Sequence, residues 1–186
     1  MSTTPTYKLL AISGSLREKS YNTMLAHAFK DLAPEGVEIS IGDISALPLF
    51  NQDLEAEFPQ EATALKEQIS SADGIIVITP EYNRSMPGVL KNAIDWTSRP
   101  YGQGAWSGKP VFVAGASVGP IGTAVAQASV RQSMLFMGAH VLGQPEFYLG
   151  NAQNVFDDEG VLTDENTKEH VTKAINALTT FIGSFK

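Results

Sequence analysis

The chain has 186 residues, of which 43% are hydrophobic and 18% charged, with a net charge of −7 and no cysteine. That composition predicts one globular domain over 1–186 with a sizeable core, and it excludes disulfides, thiolate catalysis and iron–sulfur ligation. No basic run marks a nucleic-acid surface, no apolar run approaches the roughly 20 residues that cross a bilayer, and the N-terminus lacks a signal peptide's basic and apolar regions. The expected setting is therefore cytoplasmic, with neither nucleic acid nor membrane as partner.

Residues 1–6 read as a disordered tail. The run Leu9-Leu10-Ala11-Ile12 then predicts a strand, and Leu25, Ala28, Phe29 and Leu32 at helical spacing predict the helix that follows. Residues 36–43 alternate apolar and polar, which suits a strand near a sheet edge. A loop over 44–53 with exposed-looking apolar residues leads to a helix over 60–72, with Ala62, Leu65, Ile69 and Ala72 on one side. The β-branched run 75–79 is typical of a parallel strand buried on both faces. A loop over 80–88 precedes a helix over 89–97, and a Gly-rich loop over 100–108 precedes another buried strand over 109–116. A small-residue loop over 117–123 opens a helix over 124–138, on which Met134, Leu135 and Met137 form an apolar stripe suited to core first and to a subunit contact second. A last strand begins at 139–142 and resumes at 146–149 after Pro145. A polar loop over 151–164 and a helix over 167–182 close the chain.

Strand and helix thus alternate five times. That pattern predicts an α/β fold, a flavodoxin-like doubly wound five-stranded parallel sheet of order 2-1-3-4-5 with helices on both faces. Ligands of such sheets sit beyond the carboxyl ends of the strands, where the winding reverses. Physics therefore selects the loop after the first strand and the loop after the third, with the loop after the fourth beside them.

The first of these loops, 13–22, opens a helix, and a helix N-terminus offers free N–H groups and about half a positive charge. Ser13, Ser15, Ser20, Asn22 and Thr23 add polar groups and Arg17 a full cation. Neither G-x-x-x-x-G-K-[ST] nor G-x-G-x-x-G is present, so a compact phosphate monoester fits better than a triphosphate or a pyrophosphate. The plain alternative is a capped turn, with Ser20 or Asn22 as N-cap and Arg17 in solvent. In the second loop, Pro80 and Pro87 stiffen a turn carrying Glu81, Tyr82 and Asn83, which suits presentation of backbone groups to the edge of a planar heterocycle. In the third, Ser117, Val118 and Gly119 allow close approach to the same ring.

Gly14-Ser15-Leu16-Arg17 with Ser20 and Asn22, the long run from Thr79-Pro80-Glu81-Tyr82-Asn83-Arg84-Ser85 to Lys91-Asn92-Ala93-Ile94-Asp95-Trp96, and Gly115-Ala116-Ser117-Val118-Gly119-Pro120-Ile121-Gly122 together resemble the NADPH-dependent FMN reductase family. The resemblance runs from residue 8 to about 150 and beyond that is only architectural. It implies that Ser15, Arg17, Ser20, Asn22 and Thr23 bind the FMN phosphate. Pro80, Glu81, Tyr82, Asn83 and Ser85 then line the isoalloxazine, largely through backbone groups, and Ser117 and Gly119 border it on the other side. It also implies FMN as cofactor, NADPH or NADH as co-substrate, a homodimer or homotetramer, and a ping-pong reaction. In that reaction a hydride passes from the nicotinamide to FMN N5 and then on to a flavin, a quinone or another small acceptor. The chemistry is borne by the cofactor, with no catalytic side chain and no metal; His27, His140 and His170 read as structural.

Three other readings share these features. One is a flavodoxin-type electron carrier without NAD(P)H activity of its own. Another is a dehydrogenase using Gly115, Gly119 and Gly122, whose G-x-x-x-G-x-x-G spacing misses the dinucleotide fingerprint. The third is a regulatory module holding a different phosphate. For a 2′-phosphate of NADPH the candidate cations are Arg84 and Arg99.

Overall fold

The computed structural model describes residues 7–185, so the expected tail over 1–6 lies outside the described residues. The strands are β1 (Tyr7–Ser13), β2 (Val37–Gly42), β3 (Gly74–Ile78), β4 (Pro110–Ala116), β5 (His140–Val141) and β6 (Phe147–Leu149). The helices are α1 (Tyr21–Asp31), α2 (Gln60–Ser71), α3 (Gly88–Thr97), α4 (Ala124–Phe136) and α5 (Glu165–Gly183). The sheet runs β2-β1-β3-β4-β5, and every pairing, including that of β6 with β4, is parallel. The flavodoxin-like expectation holds, as do the edge position of β2 and a last strand that stops and resumes.

Side chains of a strand alternate between faces, so each central strand feeds two cores. Leu9, Ala11, Ile76, Ile78, Phe112 and Ala114 pack with Leu25, Phe29, Val171, Ile175 and Leu178, which places α1 and α5 on one face. Leu10, Ile12, Ile75, Val77, Val111 and Val113 pack with Leu65, Ile69, Leu90, Ile94, Val130 and Met134, which places α2, α3 and α4 on the other. All five residues of β3 and all seven of β4 are buried, as a strand covered on both faces requires. Burying each large aliphatic side chain contributes about 1.5–3 kcal/mol, which fixes the strand registers and with them the positions of the loops at the carboxyl edge.

Some expectations need correction. The loop over 44–53 runs into a 3-10 helix, Gln52–Glu57, whose first turn is capped by the Asn51 carboxamide accepting from Asp53 N–H. Of its apolar residues, Ile44 is buried whereas Leu49 is 84% exposed. The segment 151–164 holds a 3-10 turn, Ala152–Asn154, and a bridge between Phe156 and Leu162. The stripe on α4 splits, with Met134 in the core and Leu135 exposed, because adjacent helical residues cannot share a face.

Between β5 and β6 the ladder with β4 is interrupted, and Arg131 fills the gap. Its guanidinium donates to Leu142 O at 3.0 Å and to Val113 O at 3.4 Å.

Candidate active site

The carboxyl ends of β1, β3 and β4 carry the three loops selected above. Backbone bonding continues past the strand ends: Gly14 N–H donates to Ile78 O at 2.8 Å, and Thr79 N–H to Ala114 O at 2.9 Å. The loops therefore leave the sheet already fixed relative to one another.

In the first loop, Ser20 is the N-cap of α1, its hydroxyl accepting from Asn22 N–H and Thr23 N–H. The first turn of α1 carries no acidic residue, so nothing within the helix neutralises its partial positive charge. Arg17 is exposed. One of its guanidinium nitrogens donates to Lys19 O, and the group lies 5.9 Å from the centre of the Tyr21 ring. Ser15 is partly exposed and its hydroxyl accepts from Arg17 N–H at 3.3 Å. Thr23 shares a 3.0 Å hydrogen bond with Ser13. Asn22 is buried, and its carboxamide is committed elsewhere: Nδ2 donates to Ala116 O and Oδ1 accepts from Ala116 N–H, each at 2.9 Å. The capped turn is present, with Ser20 as its N-cap, and it leaves Arg17 and Ser15 facing outward.

The second loop folds back as a hairpin. Tyr82 and Ser85 exchange two backbone hydrogen bonds of 3.0 Å, and Asn83 and Arg84 at its tip have φ of 53° and 63°. Two left-handed residues are the signature of a type I′ turn, for which Asn-Gly is the favoured pair; here the second place is taken by arginine. Tyr82 is half exposed and Pro80 buried. The Glu81 side chain, only 9% exposed, does not face outward. Its Oε2 accepts from Val125 N–H at 3.1 Å and Ala126 N–H at 3.2 Å, and its Oε1 pairs with Arg84 at 2.8 Å. Burial works to raise its pKa, but the hydrogen bonds from Ala126, Arg84 and Val125 together outweigh it and hold the carboxyl below the ordinary carboxylate range.

Glu81 takes this place because α4 lacks a cap of its own. Thr123 precedes the helix without a capping hydrogen bond, since its hydroxyl accepts from Gln127 Nε2 at 3.1 Å. Ser129, one turn further along α4, accepts from Met86 N–H at 3.2 Å. Neither contact was expected, because a carboxylate that caps a helix 44 positions away leaves no local pattern.

In the third loop the Ser117 hydroxyl donates to Gly122 O at 2.7 Å and Gly119 O at 3.1 Å, which closes a tight turn. A Cβ at Gly119 would meet nothing nearer than the Ser117 hydroxyl at 3.7 Å, so open space lies over this backbone. At Gly115, by contrast, a Cβ would lie 1.9 Å from the Thr123 hydroxyl and 2.3 Å from Thr79 O. This glycine brings the second and third loops together rather than approaching a dinucleotide. A Cβ at Gly14 would likewise meet Leu90 at 3.0 Å and Pro80 at 3.3 Å, which joins the first loop to the second.

The remaining candidates lie apart from the loops. Arg99 is 3.5 Å from Glu55 and over the Phe50 ring. His140 stacks on Phe185, and His170 stacks on Phe147 and bonds Glu146 O at 3.0 Å. His27 is exposed on α1.

A parallel sheet in this order, with helices on both faces and its loops gathered at the point of reversed winding, defines a flavodoxin-like protein. A model of the family described as NADPH-dependent FMN reductase matches residues 7–154, and the chain belongs to that family. A 2-hydroxy-1,4-benzoquinone reductase of a Burkholderia species is 46% identical over 164 residues, 88% of this chain and 90% of its own. An NAD(P)H-dependent FMN reductase of Pseudomonas aeruginosa is 47% identical over 172 residues, 92% of each chain. The solved structure of FerB, a flavoenzyme NAD(P)H:(acceptor) oxidoreductase from Paracoccus denitrificans, superposes with a TM-score of 0.89 at 38% identity, covering 96% of this chain and 98% of that one.

The chain is accordingly an oxidoreductase that works with FMN and NAD(P)H, and not a carrier or a glycine-loop dehydrogenase. The residues present suit that cofactor. An uncompensated helix start with Arg17 and Ser15 matches a phosphate dianion, and the hairpin and the open Gly119 backbone match a flat ring. No helix among the described residues is long and apolar enough to cross a membrane.

Proposed function

We propose that the chain forms one catalytic domain in the cytoplasm that reduces quinones, free flavin or similar small acceptors at the expense of NADPH or NADH. The observation that carries this reading is the locking of the three loops around an α1 N-terminus whose first turn holds no acid. Arg17 and Ser15 grip the phosphate, Ser20 caps the helix start beside it, and Asn22 and Thr23 fix the same turn. The backbone of Pro80, Glu81, Tyr82, Asn83 and Ser85 lines one side of the ring, and Ser117 and Gly119 the other. FMN held there would supply the redox chemistry, as the carrier of electrons from the nicotinamide to the acceptor. The loops supply N–H dipoles and shape rather than a nucleophile or base, and donor and acceptor use one face in turn, which is ping-pong kinetics. The active form is a homodimer or homotetramer, with exposed Leu135 available to a subunit contact.

Two measurements test the reading. With NADPH and a quinone varied together, double-reciprocal plots are expected to be parallel, and intersecting lines overturn the shared-face mechanism. Arg17→Ala is expected to weaken FMN binding roughly 10- to 100-fold, the worth of a hydrogen-bonded charge. An unchanged dissociation constant overturns the placement of the phosphate.

A further inference from the structure

We propose that Asn22 is a positioning residue that sets the ring-binding loop from the phosphate-binding helix, and that it does so without touching the phosphate. The inference rests on the placement of flavin given above. Asn22 is 4% exposed, and both heads of its carboxamide are spent on one residue, the N–H and C=O of Ala116, at 2.9 Å each. Ala116 is the last residue of β4, and the next residue, Ser117, begins the loop that borders the ring. A carboxamide that pairs its donor and acceptor with the C=O and N–H of one residue mimics a strand neighbour. It fixes the loop in both translation and tilt, which a single bond would not.

The match is built from α1 inward. Ser20 caps the helix, its hydroxyl orients the N–H groups of Asn22 and Thr23, and the Asn22 side chain then leaves the helix toward β4. The start of the loop after β4 is thereby tied to a helix residue 94 positions away. Removing the carboxamide leaves the Ala116 N–H and C=O unpaired in a buried place and frees Ser117 to shift.

The test compares FMN with riboflavin, which has the same ring and no phosphate, by fluorescence titration of the apoprotein. Arg17→Ala is expected to lose affinity for FMN alone, so that the preference for FMN over riboflavin collapses. Asn22→Ala is expected to weaken both ligands by the same factor, roughly tenfold, and to leave that preference intact. Asn22→Asp keeps the size and the bond from Ala116 N–H but sets a carboxylate against Ala116 O. It is expected to behave like Asn22→Ala, and it carries the comparison if the alanine variant does not fold.

Loss of FMN affinity alone in the Asn22 variants would assign the residue to the phosphate and overturn the proposal. Unchanged affinity for both ligands would overturn it too, and leave Asn22 a stabilising residue only. An unchanged preference in Arg17→Ala would instead overturn the placement of the phosphate, so the two failures are distinguishable.

Discussion

At position 115 even one methyl group meets backbone. A Cβ there would fall 2.3 Å from Thr79 O, which cannot swing aside as a side-chain tip can. Gly115→Ala is expected to cost about 3 kcal/mol or more, read as a lower midpoint in urea unfolding, because β3 and β4 must separate to admit it. Glu81 makes a different argument, through its titration. Its folded pKa is held below the unfolded value by hydrogen bonds that prevail over burial. The stability it contributes is therefore present above the unfolded carboxylate range, near pH 4.3, and is lost as pH falls through the folded value. The melting temperature of the wild-type protein is expected to exceed that of Glu81→Gln by a constant margin above about pH 5.5, and the margin to close below about pH 4. A gap that does not change with pH would show that Glu81 acts by shape alone.

Among the elements, α3 does more than cover the sheet. Asn92 Nδ2 and Trp96 Nε1 both donate to Pro48 O, at 2.9 and 2.8 Å, and Asn92 Oδ1 accepts from Phe50 N–H at 2.7 Å. The segment after β2 is thus strapped to α3, with Phe50 and Phe58 edge-on to the buried Trp96 ring at 5.0 and 5.2 Å. Asn92→Ala is expected to cost about 1–3 kcal/mol and to open the segment 44–51 to protease, two bonds of about 0.5–1.5 kcal/mol each being lost. Proteolysis at the wild-type rate would sink the strap. The elements themselves were legible in the sequence wherever burial is periodic. The runs at 75–78 and 110–116 and the stripes on α2 and α5 follow from which face must be dry. The three loops were legible too, because the topology selects them. The ties between the loops were not. Asn22 reads as a phosphate ligand or a cap, and Glu81 as turn chemistry, until the fold brings Ala116 and Val125 beside them. A bond to a distant backbone group depends on no side chain at the far end and leaves no pattern to read.

For the whole molecule, the proposed placement of the cofactor among loops from three strands would couple binding to global stability. FMN at about 100 times its dissociation constant stabilises the folded state by about 2.7 kcal/mol. For a domain of this length that is a rise in melting temperature of roughly 5–11 °C. Riboflavin at the same multiple of its own constant should give the same rise, and at equal concentration a smaller one. A melting temperature indifferent to FMN would show binding outside the cooperative core.

The interruption between β5 and β6 has its own consequence. Because direct backbone bonding to β4 stops after the Leu142 N–H bond to Val111 O and Arg131 bridges Leu142 O to Val113 O beyond it, the pairs of Ala114–Ala116 with Phe147–Leu149 form a separate patch of ladder. That patch also carries the Ser117 bond to Leu149 O. It can unzip while β5 keeps its own register on Pro110 and Val111, so the amide protons of Ser117 and its neighbours should trade for deuterium sooner than those inside β3.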